Sequence, residues 1–304
     1  MTGRIVTVTL NPAIDVTYRV RALRVGETVR VPEVRSRAGG KGVNVAAVVG
    51  ALGEDSLVLA LTTTAEPDEF RKGLQELGIA HRLVPALASV RRTIAVVADD
   101  GSTTMLQENG FPALAEAAVK ILAALREELE AGAGAVVISG SVPASMDPDV
   151  PAQLARLCGE YRVPVIADVS GAALRAAASS GAVLMPNEDE LAELAARPED
   201  LVTGGAAAVV ATAGPDGATA VTARGTWHAR PAEVVTGNPT GAGDAAAAAL
   251  ALHLARAGRE VDWPAALADV VATSAAAVLR PVAGEIDREA RARWIPLTTV
   301  KESR

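Results

Sequence analysis

The chain has 304 residues, half of them hydrophobic, and a net charge of −7. Such a length suits one large α/β domain or two small ones, with enough apolar residues for a sizeable core. The acidic balance argues against a nucleic-acid surface, which needs a basic face. The single cysteine, Cys158, rules out an internal disulfide and fits a reducing compartment.

Aromatic residues make up only 2% of the chain, whereas alanine is abundant. The core must therefore be built from Val, Leu, Ile and Ala, as in parallel strands covered by helices of small residues. No uninterrupted apolar run reaches membrane-spanning length, and Arg4 leads directly into a β-type run instead of a signal peptide. We therefore expect a cytoplasmic protein.

Short β-rich runs alternate with longer alanine-rich helical runs. In chain order, the patterns predict strands at 5–9, 57–61, 135–139, 163–167, 183–185 and 207–211. They predict helices at 42–52, 66–77, 113–130, 150–161, from 188 onward, at 245–257 and at 263–279. Strands that alternate with helices indicate an α/β fold with a mostly parallel central sheet.

Two stretches break this alternation. Residues 16–37 contain alternating β-type residues without a helix, and 93–107 predicts two strands joined at an Asp-Asp-Gly turn, a hairpin signal. We predict a small β-layer, contributed by about 12–37 and 90–108, that stands off the main sheet and covers a ligand cleft. No repeat or linker divides the chain, so 1–304 is predicted to form a single domain.

The clearest chemical signal is Asn-Pro-Thr-Gly-Ala-Gly-Asp at 238–244, which precedes an alanine-rich helix. Because Gly241 and Gly243 have no side chains, the backbone there can approach an anion closely, and the helix N-terminus adds its amides and dipole. Asp244 can then orient a hydroxyl and accept its proton. The alternative is a glycine-rich turn with an Asp in the first helical turn. No Walker A motif occurs.

Two further segments carry weaker signals. Residues 38–44, Ala-Gly-Gly-Lys-Gly-Val-Asn, open a helix where glycines let a polyol lie against the backbone and Asn44 can both donate and accept. Residues 9–15, Thr-Leu-Asn-Pro-Ala-Ile-Asp, place Asp15 just past a strand end, where open parallel sheets bind ligands. Each taken alone also fits a flexible loop or a solvated turn.

Together and in this order, the three segments resemble the ribokinase-like PfkB carbohydrate kinase family. They are most similar to its hexose-phosphate branch, which includes 1-phosphofructokinase and tagatose-6-phosphate kinase. Ser-Gly-Ser-Val-Pro at 139–143, Asp-Val-Ser-Gly at 168–171 and Pro-Asn-Glu-Asp-Glu at 186–190 support the resemblance, which spans about 5–286. It implies a Rossmann-like sheet flanked by helices with a β-lid, the cofactors ATP and Mg²⁺, and a homodimer formed through the lid.

The resemblance also implies roles for individual residues. Asp244 would be the catalytic base, with an anion hole formed by Gly241, Ala242 and Gly243. The acceptor would be held by Asp15, Gly39, Gly40, Lys41, Asn44 and Ser141. ATP would contact Asn187, Thr212, Gly214 and Gly217, and Glu190 would hold Mg²⁺ through water. For Asn187 to Glu190, ordinary helix capping is the alternative.

A phosphate on the acceptor would need fixed positive charge. The sequence offers Arg37, Lys41, Arg91 and Arg92, of which the branch pattern aligns Arg91 with the phosphate contact; Arg92 would serve if the register shifted by one. An exposed edge-strand charge pair is the alternative. The chain departs from the branch in having Thr93 and Gln107 in place of asparagines and Met185 in place of a lysine.

The leading hypothesis is therefore ATP-dependent phosphoryl transfer to a hydroxyl of a hexose phosphate. One alternative is a kinase of an unphosphorylated sugar or nucleoside, and convergence of Arg91 and Lys41 on one point would argue against it. Another is a non-catalytic sugar-phosphate sensor, which Met185 favours and Asp244 disfavours, since a sensor needs no base. The three histidines show no metal-ligand spacing.

Overall fold

The structure, a computed structural model, describes residues 3–257 and 260–303. Its strands are β1 (Ile5–Thr9), β2 (Ala13–Val20), β3 (Glu33–Gly39), β4 (Ser56–Thr63), β5 (His81–Leu87), β6 (Arg91–Ala98), β7 (Thr103–Gln107), β8 (Ala135–Ser139), β9 (Val165–Asp168), β10 (Val183–Leu184), β11 (Ala208–Thr212), β12 (Ala218–Thr222), β13 (Gly225–Arg230) and β14 (Thr299–Ser303). Its helices are α1 (Lys41–Ala51), α2 (Glu69–Glu76), α3 (Ala117–Glu130), α4 (Val150–Glu160), α5 (Gly171–Ala177), α6 (Glu188–Leu194), α7 (Pro198–Thr203), α8 (Ala242–Ala257), α9 (Trp263–Val278) and α10 (Arg288–Trp294).

The large sheet has ten strands in the order β14-β13-β12-β11-β10-β9-β8-β1-β4-β5. From β11 to β5 all neighbours are parallel, whereas β11 to β14 are joined antiparallel. The central strands β1 and β8 are buried at every residue, because helices cover both faces of the sheet. This arrangement aligns the carboxyl ends of the parallel strands along one edge.

Each face of the large sheet has its own apolar cluster. One contains side chains of α3, α4 and α5, and the other contains side chains of α1, α8 and α9. In α8 the alanines from Ala245 to Ala249 are all almost fully buried, so α8 can approach the sheet and its neighbours closely. The alanine content of the sequence is thus explained by a layer of closely packed helices.

The small sheet has the order β3-β2-β6-β7, with β2 and β6 parallel and the two outer pairs antiparallel. Its inner face packs Ile14 and Val16 against Phe70 and Leu74 of α2. All of β7 is exposed. The sequence predicted a separate β-layer from the stretches 12–37 and 90–108, and the four strands lie there except that β3 continues to Gly39.

The predicted fold class is confirmed: a mostly parallel central sheet flanked by helices, with a separate small sheet. Strand β5 was not predicted, because Pro85 and its charged neighbours obscure the pattern; β5 is an edge strand, where a proline costs no ladder hydrogen bond. Helix α3 begins four residues later than predicted, since Ala113 pairs with Leu87 instead. Strands β12 to β14 and helices α5, α7 and α10 were also not predicted.

Among the described helices, none is both long and apolar enough to cross a membrane.

Candidate active site

The predicted site residues gather at the edge where the parallel strands end. Strand β1 leads into Asn11, β8 leads into Ser141, and β9 ends at Asp168. Helices α1 and α8 begin at this edge, with Lys41 and Asp244 in their first turns. The small sheet contributes Asp15 of β2 and Gly39 of β3 to this edge. The two residues lie so close together that a Cβ on Gly39 would overlap the carboxylate of Asp15. The fold therefore brings distant motifs together in one cleft.

Asp244 is the buried carboxylate of this cleft, with 5% of its surface exposed. Asn44 Nδ2 donates a hydrogen bond to its Oδ2 at 2.8 Å. Burial, with the nearby Asp168 carboxylate, raises the pKa of Asp244 to about 7, although Lys41 and the Asn44 hydrogen bond act in the opposite direction. A carboxylate with such a pKa is suited to accept a proton near neutral pH.

Lys41 lies beside Asp168, with Nζ 3.0 Å from Oδ1 and 3.3 Å from Oδ2. Ser139 Oγ donates to Asp168 Oδ2 at 2.7 Å and so fixes the carboxylate. Burial acts to lower the pKa of Lys41, but the carboxylates of Asp168 and Asp244 outweigh it and raise that pKa. The ammonium is therefore charged and held next to the candidate base.

The predicted anion hole lies at the N-terminus of α8. Gly241 has a φ of 85°, which favours glycine, and a Cβ there would lie 2.7 Å from the Ala283 Cβ. A Cβ on Gly243 would meet no atom within 4 Å, so this part of the backbone faces open space. The Ala242 amide donates to the Pro239 carbonyl at 3.2 Å, so one of the three predicted amides already has a partner.

Asp15 lies with two arginines on one face of the small sheet. Arg37 is its cross-strand partner on β3, and Arg91 lies opposite Ala13 on β6, two residues along, on the same face. Burial raises the pKa of Asp15 to about 6, while Arg37 and Arg91 oppose that rise. The predicted sugar-binding carboxylate is thus part of a group with net positive charge.

Arg91 and Arg92 point to opposite faces of β6. Arg91 donates from Nε to the Asn11 carbonyl at 3.3 Å and from Nη1 to the Glu108 carbonyl at 3.0 Å. Arg92 instead forms an ion pair with Glu69 at 3.0 Å. The register therefore places Arg91 towards Asp15 and Arg92 away from it.

Lys41 and Arg91 have different acidic neighbours. The charges that act on Lys41 are those of Asp168, Asp244 and Glu190. Those that act on Arg91 are Asp15 and Glu108. The structure therefore groups Lys41 with the candidate base, and it groups Arg37 with Arg91 at the small sheet.

Asn44 and Ser141 both offer hydrogen bonds to a ligand. Asn44 is 6% exposed, and its buried Oδ1 has no hydrogen-bond partner in the described part of the chain. Ser141 Oγ accepts from Asn11 Nδ2 at 3.0 Å, which leaves its hydroxyl hydrogen available. A polyol hydroxyl could satisfy the unpaired Asn44 oxygen, so the residues present fit a sugar.

The predicted nucleotide residues lie at the ends of β10 and β11. Asn187 and Thr212 form an isolated parallel bridge. Asn187 and Glu190 form a capping box: Oδ1 of Asn187 accepts from the Glu190 amide at 2.8 Å, and Glu190 Oε2 accepts from the Asn187 amide at 2.9 Å. Asn187 and Glu190 therefore do cap helix α6, as the alternative prediction had it. The negative charge of Glu190 also acts to raise the pKa of Lys41, so Glu190 faces the same cleft.

The two predicted glycines after β11 differ in their surroundings. Gly217 has a φ of 98°, and a Cβ there would overlap the Ala229 carbonyl oxygen, so the β12–β13 hairpin requires glycine. Gly214 has a φ of 52° and open space around its missing Cβ. A nucleotide could therefore lie against Gly214, whereas Gly217 serves the backbone.

The described residues include no group of three or more His, Cys, Asp or Glu side chains that could hold a metal ion. A protein cage for Mg²⁺ is thus lacking in that part of the chain. The oxygens of Glu190 fit the other common mode, in which Mg²⁺ keeps several waters and binds one or two carboxylates together with substrate phosphates.

The departures from the branch pattern lie in two places. Thr93 and Gln107 are cross-strand partners, and Thr93 is also the partner of Asp15, so all three form one row across the small sheet. Met185 is buried in the apolar cluster of α8 and α9. Thr93 and Gln107 thus lie in the same row as Asp15, the predicted acceptor-binding carboxylate. Met185 instead places an apolar side chain where the branch has a charged lysine.

Sequence reasoning gave no role to several residues of the cleft. Asp168 and Ser139 belong to segments that were used only to support the family resemblance. Their positions at the ends of predicted strands could have indicated that they lie in the cleft. Arg37 was named only as one of four cations. The loop at 281–284 gave no signal at all, although Gly284 lies against Arg37 and Asn44 and Ala283 lies against Gly241.

The overall fold is similar to several solved kinases. Phosphofructokinase-2 from Escherichia coli is 24% identical, with a TM-score of 0.86, and covers 97% of this chain and 98% of its own. A possible 1-phosphofructokinase from Thermotoga maritima is 21% identical, with a TM-score of 0.84 and coverage of 99% and 100%. Ribokinase from Arabidopsis thaliana is 20% identical, with a TM-score of 0.68 and coverage of 96% and 98%.

The sequence itself matches the family model for pfkB family carbohydrate kinases over residues 6–290. The match covers the small sheet, most of the large sheet and all the site residues described above. Within it lie the buried Asp244 at the N-terminus of α8 and the unpaired Asn44 oxygen beside it. The chain therefore belongs to the pfkB family of carbohydrate kinases and is a sugar kinase.

Proposed function

We propose that this kinase transfers the γ-phosphoryl group of ATP to a hydroxyl of a hexose phosphate. The observation that carries the proposal is the pair Arg37 and Arg91 beside Asp15. Neither guanidinium forms a salt bridge within the described chain, and Arg37 Nε is buried without a hydrogen-bond partner. A phosphate on the acceptor would supply the salt bridges that these two groups lack.

Structural neighbours have been solved with both classes of acceptor. The phosphofructokinase-2 of Escherichia coli has been solved with fructose-6-phosphate, and the ribokinase of Arabidopsis thaliana with ribose and ATP. The first is a sugar phosphate and the second an unphosphorylated sugar, so the fold accommodates both classes. Because Arg37 and Arg91 form no salt bridge within the described chain, they favour the phosphorylated class for this chain.

The cleft suggests how the transfer proceeds. The acceptor hydroxyl would donate to Asn44 Oδ1 or lie beside Asp244, which accepts its proton as the oxygen attacks the γ-phosphorus. The bond from that phosphorus to the bridging oxygen of ATP breaks, and ADP leaves. Lys41 and the backbone at Gly241 to Gly243 would stabilise the negative charge on the transferred group.

ATP would lie along the edge formed by Asn187, Thr212 and Gly214. Mg²⁺ would be held through water by Glu190 and by the phosphates, and would supply neutralisation of phosphate charge. Since Glu190 is also locked in the capping box of α6, its carboxylate is fixed in direction before the nucleotide binds.

The test is an assay of ADP release with Mg·ATP and a panel of acceptors. The panel contains fructose 1-phosphate, fructose 6-phosphate, tagatose 6-phosphate, the free hexoses, ribose and several nucleosides. We expect kcat/KM for one hexose phosphate to exceed that for its free hexose by about 100-fold or more, the size of one or two charge-assisted hydrogen bonds.

Two variants localise the effect. Arg91→Ala should raise the KM for the phosphorylated acceptor by about tenfold or more and leave that for a neutral sugar nearly unchanged. Arg92→Ala, the neighbouring residue on the opposite face, should change neither. Turnover only of neutral sugars would reject the hexose-phosphate assignment, and no turnover across the panel would favour the sensor.

We further propose that two copies associate through their small sheets. Val34, Met105 and Leu106 are exposed on the two edge strands β3 and β7. Exposed edge strands with apolar side chains favour pairing with another chain.

A further inference from the structure

A second cavity, of about 420 Å³, lies at the amino-terminal edge of the large sheet. Val165 and Val183, the first residues of β9 and β10, line the wall of this cavity. The other end of β9 is Asp168, which lies in the candidate active site. Helix α8 contributes Leu254 from its last turns, far along the helix from Asp244. The cavity is therefore separated from the kinase cleft by the full length of the strands.

The wall of this cavity combines apolar surface with positive charge. Its apolar part includes Val163, Pro164 and Trp263. Among the described lining residues, the charged side chains are Arg162 and Arg224, and none is acidic. Neither guanidinium forms an ion pair or a hydrogen bond within the described chain. Both side chains are exposed, so their charges at the cavity mouth are available to a ligand.

The described carboxylates near this wall form no ion pair with either arginine, and that of Glu302 lies against Gly225, next to Arg224, without bonding to its guanidinium. Asp262 stands between Val261 and Trp263 in the sequence, and its Oδ1 accepts from the Ala265 amide at 3.1 Å as the N-cap of α9. It therefore serves the helix terminus and leaves the two arginines without an acidic partner.

The backbone of Arg162 adds an independent observation. Its φ is 59°, in the left-handed region. Arg162 follows α4, and the bonds from its amide to the Gly159 carbonyl and from the Val163 amide to the Cys158 carbonyl, both at 3.0 Å, close the helix end. Glycine is the residue that fits such a position without strain. Among the described residues, only Arg162 and Ala195 have a positive φ without being glycine. Replacement of Arg162 by glycine would therefore remove the guanidinium without adding backbone strain.

We propose that this cavity binds a small organic anion that has a flat apolar ring system and a phosphate or carboxylate group. The anionic group would lie between Arg162 and Arg224, and the ring would pack against Trp263 and the neighbouring aliphatic wall. The volume suits a ligand of this size, since small-molecule sites generally measure about 300–1,000 Å³. This ligand differs from the acceptor and the nucleotide, which bind at the opposite edge.

The test is a calorimetric titration of the whole protein with 1-naphthyl phosphate, which has a flat ring and one phosphate. Loss of one charge-assisted contact in Arg162→Gly should weaken binding by about tenfold or more. Because glycine adopts a left-handed backbone conformation without strain, Arg162→Gly should keep or raise Tm. Arg224→Ala should weaken binding to a similar extent. Ala195→Gly relieves the same kind of strain away from the cavity, so it should leave the affinity unchanged.

A further variant separates this cavity from the acceptor site. Arg91→Ala should bind 1-naphthyl phosphate as tightly as the unaltered protein does. The proposal is overturned if the probe does not bind at millimolar concentration, if Arg162→Gly and Arg224→Ala bind it with unchanged affinity, or if Arg91→Ala abolishes the binding.

Discussion

At the scale of single residues, the chemistry of the cleft is set by the surroundings of Asp244. Its carboxylate is removed from water, lies near a second carboxylate, and has one hydrogen bond and one nearby ammonium group in compensation. The balance leaves its pKa at about 7, well above the ordinary value of an Asp. Under the proposed function, the proton that the acceptor hydroxyl loses would therefore have a base of matching strength.

This pKa predicts how activity varies with pH. Because only the ionised carboxylate can accept a proton, kcat/KM should rise about tenfold per unit below pH 7 and level off above it. Asn44→Leu removes a hydrogen bond that lowers the pKa of Asp244, so its inflection should move to higher pH. Steady-state rates from about pH 5 to 9 would measure both. An unchanged inflection in Asn44→Leu would contradict the assignment of this titration to Asp244, and Arg92→Ala serves as the control.

Replacement of the base itself should be more damaging. Asp244→Asn keeps the size and the contact with Asn44 but cannot accept a proton, so kcat should fall by about 10²–10⁴-fold. Isothermal titration with ATP should show nearly unchanged nucleotide affinity. Turnover close to that of the unaltered enzyme would remove Asp244 from the role of base.

Lys41 and Arg91 should give opposite kinetic signatures. Lys41 lies beside Asp168 and Asp244, so Lys41→Met should lower kcat by about 10²-fold or more through lost stabilisation of the transferred group, with little change in acceptor KM. Arg91→Ala should mainly raise acceptor KM. Initial-rate measurements over a range of acceptor concentrations separate the two. If Lys41→Met raised only the acceptor KM, Lys41 would instead bind the phosphate of the acceptor.

At the scale of elements, the start of α8 depends on a loop far away in sequence. Gly241 has no room for a Cβ because one built there would lie 2.7 Å from the Ala283 Cβ, and its φ of 85° favours glycine. The loop at 281–284 thereby supports the anion hole from behind. The pattern at 238–244 indicates a glycine-rich helix start, but nothing in it shows which segment packs against Gly241.

Gly53 provides a matched comparison for this contact. It has the same φ of 85°, yet a Cβ there would meet no atom within 4 Å. Gly53→Ala should therefore cost only the left-handed strain, about 1–2 kcal/mol. Gly241→Ala should cost a further ~1–3 kcal/mol, the usual penalty for overpacking. Urea unfolding would measure both, and equal losses of stability would show that the loop yields without cost.

At the scale of the whole molecule, the proposed base and anion hole belong to the large sheet, whereas the small sheet supplies Asp15, Arg37 and Arg91. Under the proposed function, acceptor choice would therefore be governed by a layer that is separate from the catalytic layer. The row of Asp15, Thr93 and Gln107 lies in the small sheet, so substrate preference can change there while the base and its neighbours stay unaltered.

The small sheet would also form the interface of the proposed dimer. If two lids associate, Leu106→Asp should convert the dimer to a monomer, because a charge would be buried without a partner. Val119→Asp, at an exposed site on α3, should not change the mass in solution. Sedimentation velocity would distinguish them. A monomeric unaltered protein, or a Leu106→Asp variant that remains dimeric, would contradict the proposed interface.

The sequence alone determined the alternation of buried strands with alanine-rich helices, and so the fold class. It also indicated the three motifs of the cleft, because glycine runs and strand-end carboxylates depend on local backbone geometry, which nearby residues control. In this way Asp244, Gly241 and Gly243 were predicted to form the base and the anion hole. The β5 edge strand and the strands from β12 to β14 could not be predicted, because their patterns depend on which neighbour they pair with.

Only the tertiary structure decided which charges meet. The register of β2 with β6 turns Arg91 towards Asp15 and Arg92 towards Glu69, and a shift of one residue would reverse them. The pairing of Lys41 with Asp168 joins residues 127 positions apart. Contacts of this kind depend on how layers pack, and a pKa depends on burial by the whole fold, so neither follows from local sequence.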